Sequence, residues 1–170
     1  MTIKLLGIGK TDDKTLQNLT DVYVKRLQFY NKFEIELIPD LKKVKNLNEN
    51  QQKQKEGELI LNKIDPSDFV VLLDENGKLL SSVGFSEFIQ KRFNSGLKQV
   101  IFVIGGPYGF SEEVYNRADS KVSLSKMTFS HQMVRLFFYR TIISSLYYFK
   151  ERTLPSSLKN YYETCICYSQ

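Results

Sequence analysis

The 170-residue sequence lacks the features that would direct it to a membrane, an oxidising compartment or a metal. No apolar run approaches the ~20 residues that a helix needs to cross a bilayer. Lys4 interrupts the apolar opening too early for a signal peptide. Both cysteines lie among the last six residues, which gives no disulfide framework, and one histidine excludes a His-based metal cluster within one chain. The sequence therefore predicts a cytoplasmic protein that uses neither a membrane nor a metal.

The net charge of the chain is weak evidence about a binding partner. The net charge is +5, and the 24 basic residues are spread along the chain without an arginine-rich arm or a lysine block. Such a balance favours an anionic partner such as RNA only weakly, and simple solubility explains it equally well. A content of 42% hydrophobic and 25% charged residues is that of one soluble globular domain.

Short β-rich runs alternate with longer amphipathic stretches along the chain. Strands are predicted at residues 3–8, 33–38, 69–73, 100–104 and 122–124, and helices at 14–30, 51–64, 86–93, 111–118 and from about 130 onward. Asp12 or Asp13 is the expected cap of the first helix, and residues 75–78 are the expected turn after the third strand. The alternation predicts an α/β fold with a mostly parallel sheet flanked by helices.

Ligands of parallel α/β sheets bind at the carboxyl ends of the strands, and three segments of interest follow strands here. They are the carboxylates Asp74 and Glu75, the glycine-rich turn 105–110, and the polar loop 123–132. Each has a structural alternative. Asp74 can cap a turn, Ser130 can cap the last helix, and His131 can be a hydrogen-bonded structural residue. The turn 105–110 lacks the spacing of a dinucleotide fingerprint, and the sequence has no P-loop and no serine nucleophile elbow.

Several segments together resemble one known family. They are Leu72-Leu73-Asp74 with Gly77-Lys78, the run from Phe102 to Gly109, and the block from Leu124 to Arg135, supported by Gly7-Ile8-Gly9-Lys10 and Lys55-Glu56-Gly57-Glu58. Over residues 1–138 the sequence resembles the ribosomal RNA large subunit methyltransferase H family, within the knotted SPOUT methyltransferases. One departure is Ser130, where that family usually has proline.

The resemblance implies a homodimeric enzyme with S-adenosylmethionine as methyl donor and a trefoil knot near the last helix. The implied acceptor is N3 of a pseudouridine in 23S rRNA of the assembled ribosome. By the same likeness, His131 and Arg135 contact RNA or the partner subunit, and no catalytic residue is assigned. The residues expected to hold the cofactor, through backbone groups and apolar surface, are Leu73, Gly105, Leu124, Ser125, Lys126, Met127, Thr128 and Phe129.

Residues 139–170 depart from the family. Members continue with a Glu-Gln-aliphatic-Tyr-Arg-Ala segment and end in a Pro-Tyr-His tail, and this sequence has neither. If one extra T entered the T-run that encodes Phe137-Phe138, the neighbouring frame permits both motifs in order and then a stop codon near residue 158. The hypothesis is that 1–138 is the family domain and that 139–170 is a frameshift product with no amphipathic plan, from a sequencing error or a true mutation. With a true mutation, the arginine and tail histidine expected to act on the acceptor would be absent, and the dimer would be weakened. The alternative is a genuine divergent tail.

Two other functions are kept open. The first is a nucleotide-binding α/β enzyme that holds phosphate at the turn 105–109, which would bind ATP or NAD instead of S-adenosylmethionine. The second is a catalytically impaired protein that binds RNA or the cofactor without transferring a methyl group.

Overall fold

The computed structural model describes residues 1–11, 13–41 and 47–153, with side chains described up to residue 148. The strands are β1 (Thr2–Ile8), β2 (Phe33–Ile38), β3 (Phe69–Leu79), β4 (Gln99–Ile104) and β5 (Ser120–Ser123). The helices are α1 (Lys14–Tyr30), α2 (Glu49–Leu61), α3 (Ser82–Asn94), α4 (Glu112–Arg117) and α5 (His131–Thr153). Asp12 and residues 154–170, which include both cysteines, lie outside the described residues.

The five strands form one parallel sheet in the order β2-β1-β4-β3-β5. Ile104 pairs with Gly7 on one side and with Leu73 on the other, so β1, β4 and β3 end at the same edge. Because side chains of a strand alternate between the two faces, β4 sends Phe102 to one face and Val103 to the other. The predicted α/β fold with a parallel sheet is confirmed, and the trefoil knot stays a prediction.

Helices cover both faces of the sheet. One core contains Leu27 of α1, Phe85 of α3 and Phe138 of α5, packed on the side chains of one sheet face. The other core contains Ile60 of α2 and Val114 of α4. The entirely apolar runs in β3 and β4 follow from this arrangement, since these central strands have no face in water.

The helix starts are fixed by short polar side chains. Asp13 Oδ1 accepts hydrogen bonds from the backbone N–H groups of Thr15 at 2.7 Å and Leu16 at 3.0 Å, so Asp13 is a cap of α1. Asn48 caps α2 in a reciprocal capping box with Gln51. Ser130 Oγ accepts from the N–H of Met133 at 3.4 Å, which agrees with the predicted cap of α5.

The expected turn at 75–78 is wrong. These residues belong to β3, which bulges so that both Leu73 and Lys78 pair with Val122 of β5. A Cβ on Gly77 would lie 2.6 Å from the carbonyl carbon of Val122, so only glycine allows the two backbones to approach this closely. The turn-forming residues therefore serve a bulge inside a pairing that the sequence pattern does not reveal.

The helix α5 continues without a break across Phe138 and Tyr139. One face of this part of the helix is buried, at Tyr139, Ile142, Ile143 and Leu146. This spacing of three and four residues places them on one side of the helix. The helix α5 as a whole is only weakly amphipathic, as the sequence predicts, since Phe137 and Tyr148 are exposed and Ser145 is buried. None of the described helices is long and apolar enough to cross a membrane.

Candidate functional site

A cavity of about 420 Å³ lies at the carboxyl edge of the sheet. Its walls are the end of β3, the turn after β4, the loop after β5 and the first turn of α5. Of the predicted site residues, those that line it are Leu73, Gly105, Leu124, Ser125, Met127, Thr128, Phe129 and His131. Lys126 and Arg135 do not line it. The sheet edge thus brings together segments that lie more than fifty residues apart in the sequence.

The turn after β4 depends on glycine for close packing. A Cβ on Gly105 would lie 3.0 Å from Cε1 of Phe110, and a Cβ on Gly106 would lie 2.0 Å from Oε2 of Glu56. Gly109 has a φ of +85° and donates its N–H to the carbonyl of Gly106 at 3.1 Å. With no side chains at these glycines, the backbone itself forms the cavity wall, so N–H and C=O groups are available to a ligand.

The loop after β5 is held by its own hydroxyl groups. Ser123 Oγ donates to the carbonyl of Ser125 at 2.9 Å, and Ser125 Oγ accepts from the N–H of Met127 at 3.0 Å. Lys126 Nζ donates to the carbonyl of Glu75 at 2.7 Å. Lys126 therefore ties the loop to the bulge of β3 and does not face the cavity.

Apolar side chains stand exposed along this loop. Met127 is 71% exposed and Phe129 is 36% exposed, although both line the cavity. The Phe129 ring packs edge-on against Phe137 of α5, with 4.8 Å between ring centroids. Large apolar side chains around a concave site favour a flat, apolar ligand group such as a purine ring.

Asp74 has partners inside the chain. Its Oδ1 accepts from the N–H of Asn76 at 2.7 Å, a local hydrogen bond within the bulge of β3. Its Oδ2 accepts a short hydrogen bond from the hydroxyl of Tyr115. Burial and the neighbouring carboxylate of Asp74 raise the pKa of Tyr115, so the phenol stays protonated at neutral pH. The structural alternative for Asp74 is therefore supported.

Arg135 lies in the interior and does not present its charge to a partner. Its Nη2 donates to the carbonyls of Ile8 at 2.6 Å and Gly9 at 2.7 Å, and its Nη1 donates to Oγ1 of Thr11 at 2.9 Å. Only 2% of the residue is exposed, so the contact with RNA or a partner expected for Arg135 does not fit the structure. Arg135 instead fastens the first turn of α5 to the end of β1.

His131 lines the cavity one helical turn before Arg135. Burial lowers the pKa of its imidazole, and the charge of Arg135 lowers it further, while the carboxylate of Asp40 acts in the opposite direction. The imidazole is therefore predominantly neutral at pH 7. The sequence-based expectation of a contact to RNA or a partner stays a prediction for His131.

Sequence reasoning did not single out Glu56 as a site residue. It is 2% exposed behind Gly106, where its Oε1 accepts from Nε2 of Gln52 at 2.8 Å and its Oε2 has no hydrogen-bond partner. Burial raises the pKa of this carboxyl group. Its position four residues before the buried Ile60 was the available signal, because that spacing places a carboxylate on the apolar face of α2. Among the described residues, no group of acidic, histidine or cysteine side chains is arranged to hold a metal ion.

A parallel sheet with a cavity at its carboxyl edge, walled by a glycine turn and apolar side chains, is the arrangement in which α/β proteins typically bind small ligands. The family model described as "Predicted SPOUT methyltransferase" matches residues 1–145. The chain belongs to the SPOUT methyltransferases and, within them, to the ribosomal RNA large subunit methyltransferase H family.

Three similar proteins are each named ribosomal RNA large subunit methyltransferase H. That of Christiangramia forsetii is 75% identical over 138 residues, which are 81% of this chain and 88% of the relative. That of Flavobacterium johnsoniae is 68% identical over the same coverage. That of Parabacteroides distasonis is 53% identical over 146 residues, 86% of this chain and 93% of the relative. The resemblance noted in the sequence is confirmed, and it favours a methyltransferase over a phosphate-binding enzyme.

Proposed function

We propose that this chain belongs to an enzyme that transfers the methyl group of S-adenosylmethionine to N3 of a pseudouridine in 23S rRNA of the assembled ribosome. The observation that carries the proposal is the cavity of about 420 Å³ walled by Leu73, Gly105 and the loop 124–129, in a chain of the methyltransferase H family. A cytoplasmic location follows from a ribosomal substrate.

The residues of the cavity fit the proposed cofactor. The exposed apolar surfaces of Met127 and Phe129, together with Leu73 and Leu124, suit a flat adenine ring, and the bare backbone at Gly105 suits its polar edge. When bound, the cofactor supplies a methyl group on a positively charged sulfur. The chain's part is to fix the donor and the acceptor nitrogen in line, since positioning provides much of the rate of such a transfer.

The homodimer is part of the proposal. Phe137 and Tyr148 of α5 are each more than a third exposed, as are Leu19 and Val22 of α1, the helix that packs beside it. Such apolar surface is suited to a contact with a second copy. Light scattering after gel filtration is expected to give twice the mass of one chain for a chain that carries the family's own tail, and a weaker dimer for the chain as printed, whose tail differs. A mass of one chain at micromolar concentration for the chain with the family's tail would contradict the dimer.

We also propose that residues 139–170 arise from a shifted reading frame. Two of the relatives match over 138 residues, the length of the segment before Tyr139. The first relative is roughly 157 residues long, because 138 residues are 88% of it, whereas this chain has 170. The neighbouring frame permits the family's last motifs and a stop at that length. Resequencing the gene across the codons of Phe137–Tyr139 tests this: one T fewer supports the shift, and an unchanged run contradicts a sequencing error.

The test of function compares two chains. One is the chain as printed, and the other is the frame-restored chain, in which one T is deleted from the Phe137-Phe138 run. Each is incubated with S-adenosylmethionine labelled in its methyl group and with ribosomes from cells lacking the modification. The frame-restored chain is expected to label one pseudouridine of 23S rRNA, and the printed chain is expected to bind the cofactor without transfer. The proposed function would be contradicted if neither chain labelled the 23S rRNA, or if the label appeared on ribosomal protein only.

A further inference from the structure

One side chain that lines the cavity, that of His131, has no role in the proposed binding of the cofactor. His131, the first residue of α5, lines the cavity together with Leu73, Gly105 and Phe129. It is partly buried, and it is the one histidine of the chain. An imidazole is the side chain best suited to exchange a proton near neutral pH.

The other titratable groups that line the cavity, among the described residues, are less suited to accept a proton. Asp74 accepts hydrogen bonds on both carboxylate oxygens, from Asn76 and Tyr115. The raised pKa of Tyr115 keeps its phenol protonated. Glu75 and Tyr108 are exposed to water. His131 is the remaining nitrogen base of the cavity.

Burial, more than the charged groups around it, lowers the pKa of His131. The guanidinium of Arg135, one turn further along α5, is fixed by its hydrogen bonds to Ile8, Gly9 and Thr11. Burial and this positive charge lower the pKa of His131, and Asp40, which follows β2, raises it less. Across the cavity stand the carboxylates of Asp74 and Glu75 on β3 and the phenol of Tyr115 on α4. His131 therefore lines the cavity as a half-buried imidazole whose pKa is lowered.

We propose that His131 accepts the proton that the acceptor nitrogen loses during methyl transfer. This inference rests on the proposed function. The nitrogen's electron pair forms the new N–C bond, the C–S bond of the sulfonium donor breaks, and sulfur keeps the bonding pair as a neutral thioether. The N–H proton passes to the imidazole, which carries the positive charge until it releases the proton to water. A ring N–H must lose its proton during this reaction, so a neutral base in the cavity supplies a need of the chemistry.

The first experiment uses the chain as printed and does not depend on activity. Because the chain has one histidine, a proton–carbon NMR spectrum shows a single imidazole, which can be titrated without assignment. It is expected to titrate below 6.5, and saturation with S-adenosylmethionine is expected to shift its resonance. Asp40→Asn, a substitution of an exposed side chain, is expected to lower the imidazole pKa further. An imidazole pKa of 6.5 or above, or an imidazole resonance that does not shift when S-adenosylmethionine is added, would overturn the proposal.

The second experiment measures a single turnover on ribosomes with the frame-restored chain. H131Q is expected to transfer the methyl group about a hundredfold more slowly, or worse, while its dissociation constant for S-adenosylmethionine stays within about threefold of the parent's. The parent's rate is expected to fall in acid with the midpoint that NMR gives for His131 in the chain as printed, and H131Q is expected to lack that midpoint. The tail histidines that the restored frame adds remain in H131Q, so a midpoint that persists there would assign the proton transfer to them and overturn the role of His131. E58Q, on the exposed face of α2, serves as the matched control.

The outcomes separate this inference from the proposed function. A rate for H131Q within threefold of the parent's would overturn the role of His131 and leave the methyltransferase intact. No transfer by the parent would overturn the proposed function, and the role of His131 would fall with it. Loss of cofactor binding in H131Q would show that His131 holds the cofactor and would also overturn the proton transfer.

Discussion

At the scale of single residues, the contact between Gly106 and Glu56 controls the wall of the cavity. The buried carboxyl group of Glu56 lies where a side chain of residue 106 would begin. A neighbour this well buried has little freedom to move, because interiors are closely packed. The shape of the turn after β4 is therefore constrained by Glu56, a side chain that does not itself line the cavity.

Gly106→Ala is expected to lower the free energy of unfolding by about 1–3 kcal/mol, the usual effect of overpacking, and to weaken the binding of S-adenosylmethionine. Gly7→Ala is the matched control, since its Cβ would meet Nε of Arg135 at an ordinary 3.6 Å. Urea unfolding and calorimetric titration measure both effects. The double variant with Glu56→Ala is expected to recover part of the loss, and an unchanged loss would contradict the contact.

Glu56 also gives the protein a pH-dependent stability. Its pKa in the folded state is raised above the unfolded value of 4.5, so the folded state binds its proton more tightly. The stability that this proton contributes is complete below pH 4.5 and is lost as the pH rises through the raised value. E56Q keeps an oxygen that can accept from Gln52 and removes the buried charge. It is expected to be about 1 kcal/mol more stable than the parent at pH 7, with a smaller gain near pH 4.5. An equal effect at both pH values in urea unfolding would contradict the account.

At the scale of elements, the apolar runs predict the strands well and the connections poorly. β4 was predicted at its start and end to within one residue, because a central strand of a parallel sheet must be apolar throughout. The bulge of β3 was not predictable, since the requirement for Gly77 comes from the backbone of β5, which is distant in sequence. Local turn residues cannot distinguish a loop from a bulge.

The packing of α5 bears on both interpretations of residues 139–170, a frameshift product and a genuine divergent tail. Its buried face after Tyr139 packs between α1 and α3, and Ser86 Oγ of α3 donates to the carbonyl of Ser145 at 3.0 Å. A shifted frame that still encodes many apolar residues can fill a core, because hydrophobic residues of about the right size are sufficient for packing. Packing of this helix therefore does not require the family's own sequence.

Ile142→Ala in the chain as printed is expected to lower the free energy of unfolding by about 2–5 kcal/mol, because the side chain is fully buried in the core. Arg140→Ala, on the exposed face of the same helix, is expected to change it by less than about 0.5 kcal/mol. Urea unfolding of the two variants against the parent provides the comparison. Equal effects would mean that the helix does not pack on α1 and α3 as described.

At the scale of the whole molecule, the rule that parallel sheets bind ligands at one edge predicts the segments of the candidate site, and the family resemblance names the residues within them. Most of the residues expected from the loop 124–129 and the ends of β3 and β4 do line a common cavity. Lys126 and Arg135 do not, because a side chain's direction depends on which carbonyls lie within its reach. Those carbonyls, of Glu75 for Lys126 and of Ile8 and Gly9 for Arg135, are supplied by segments far away in the sequence.

Titration calorimetry of the chain as printed with S-adenosylmethionine is the most direct test of the central claim, that this cavity holds the methyl donor. The account predicts one molecule bound per chain, clearly weaker binding by Phe129→Ala, and no comparable binding of ATP or NAD. The same protein binding ATP or NAD but not S-adenosylmethionine, or binding S-adenosylmethionine equally well without the Phe129 ring, would contradict it.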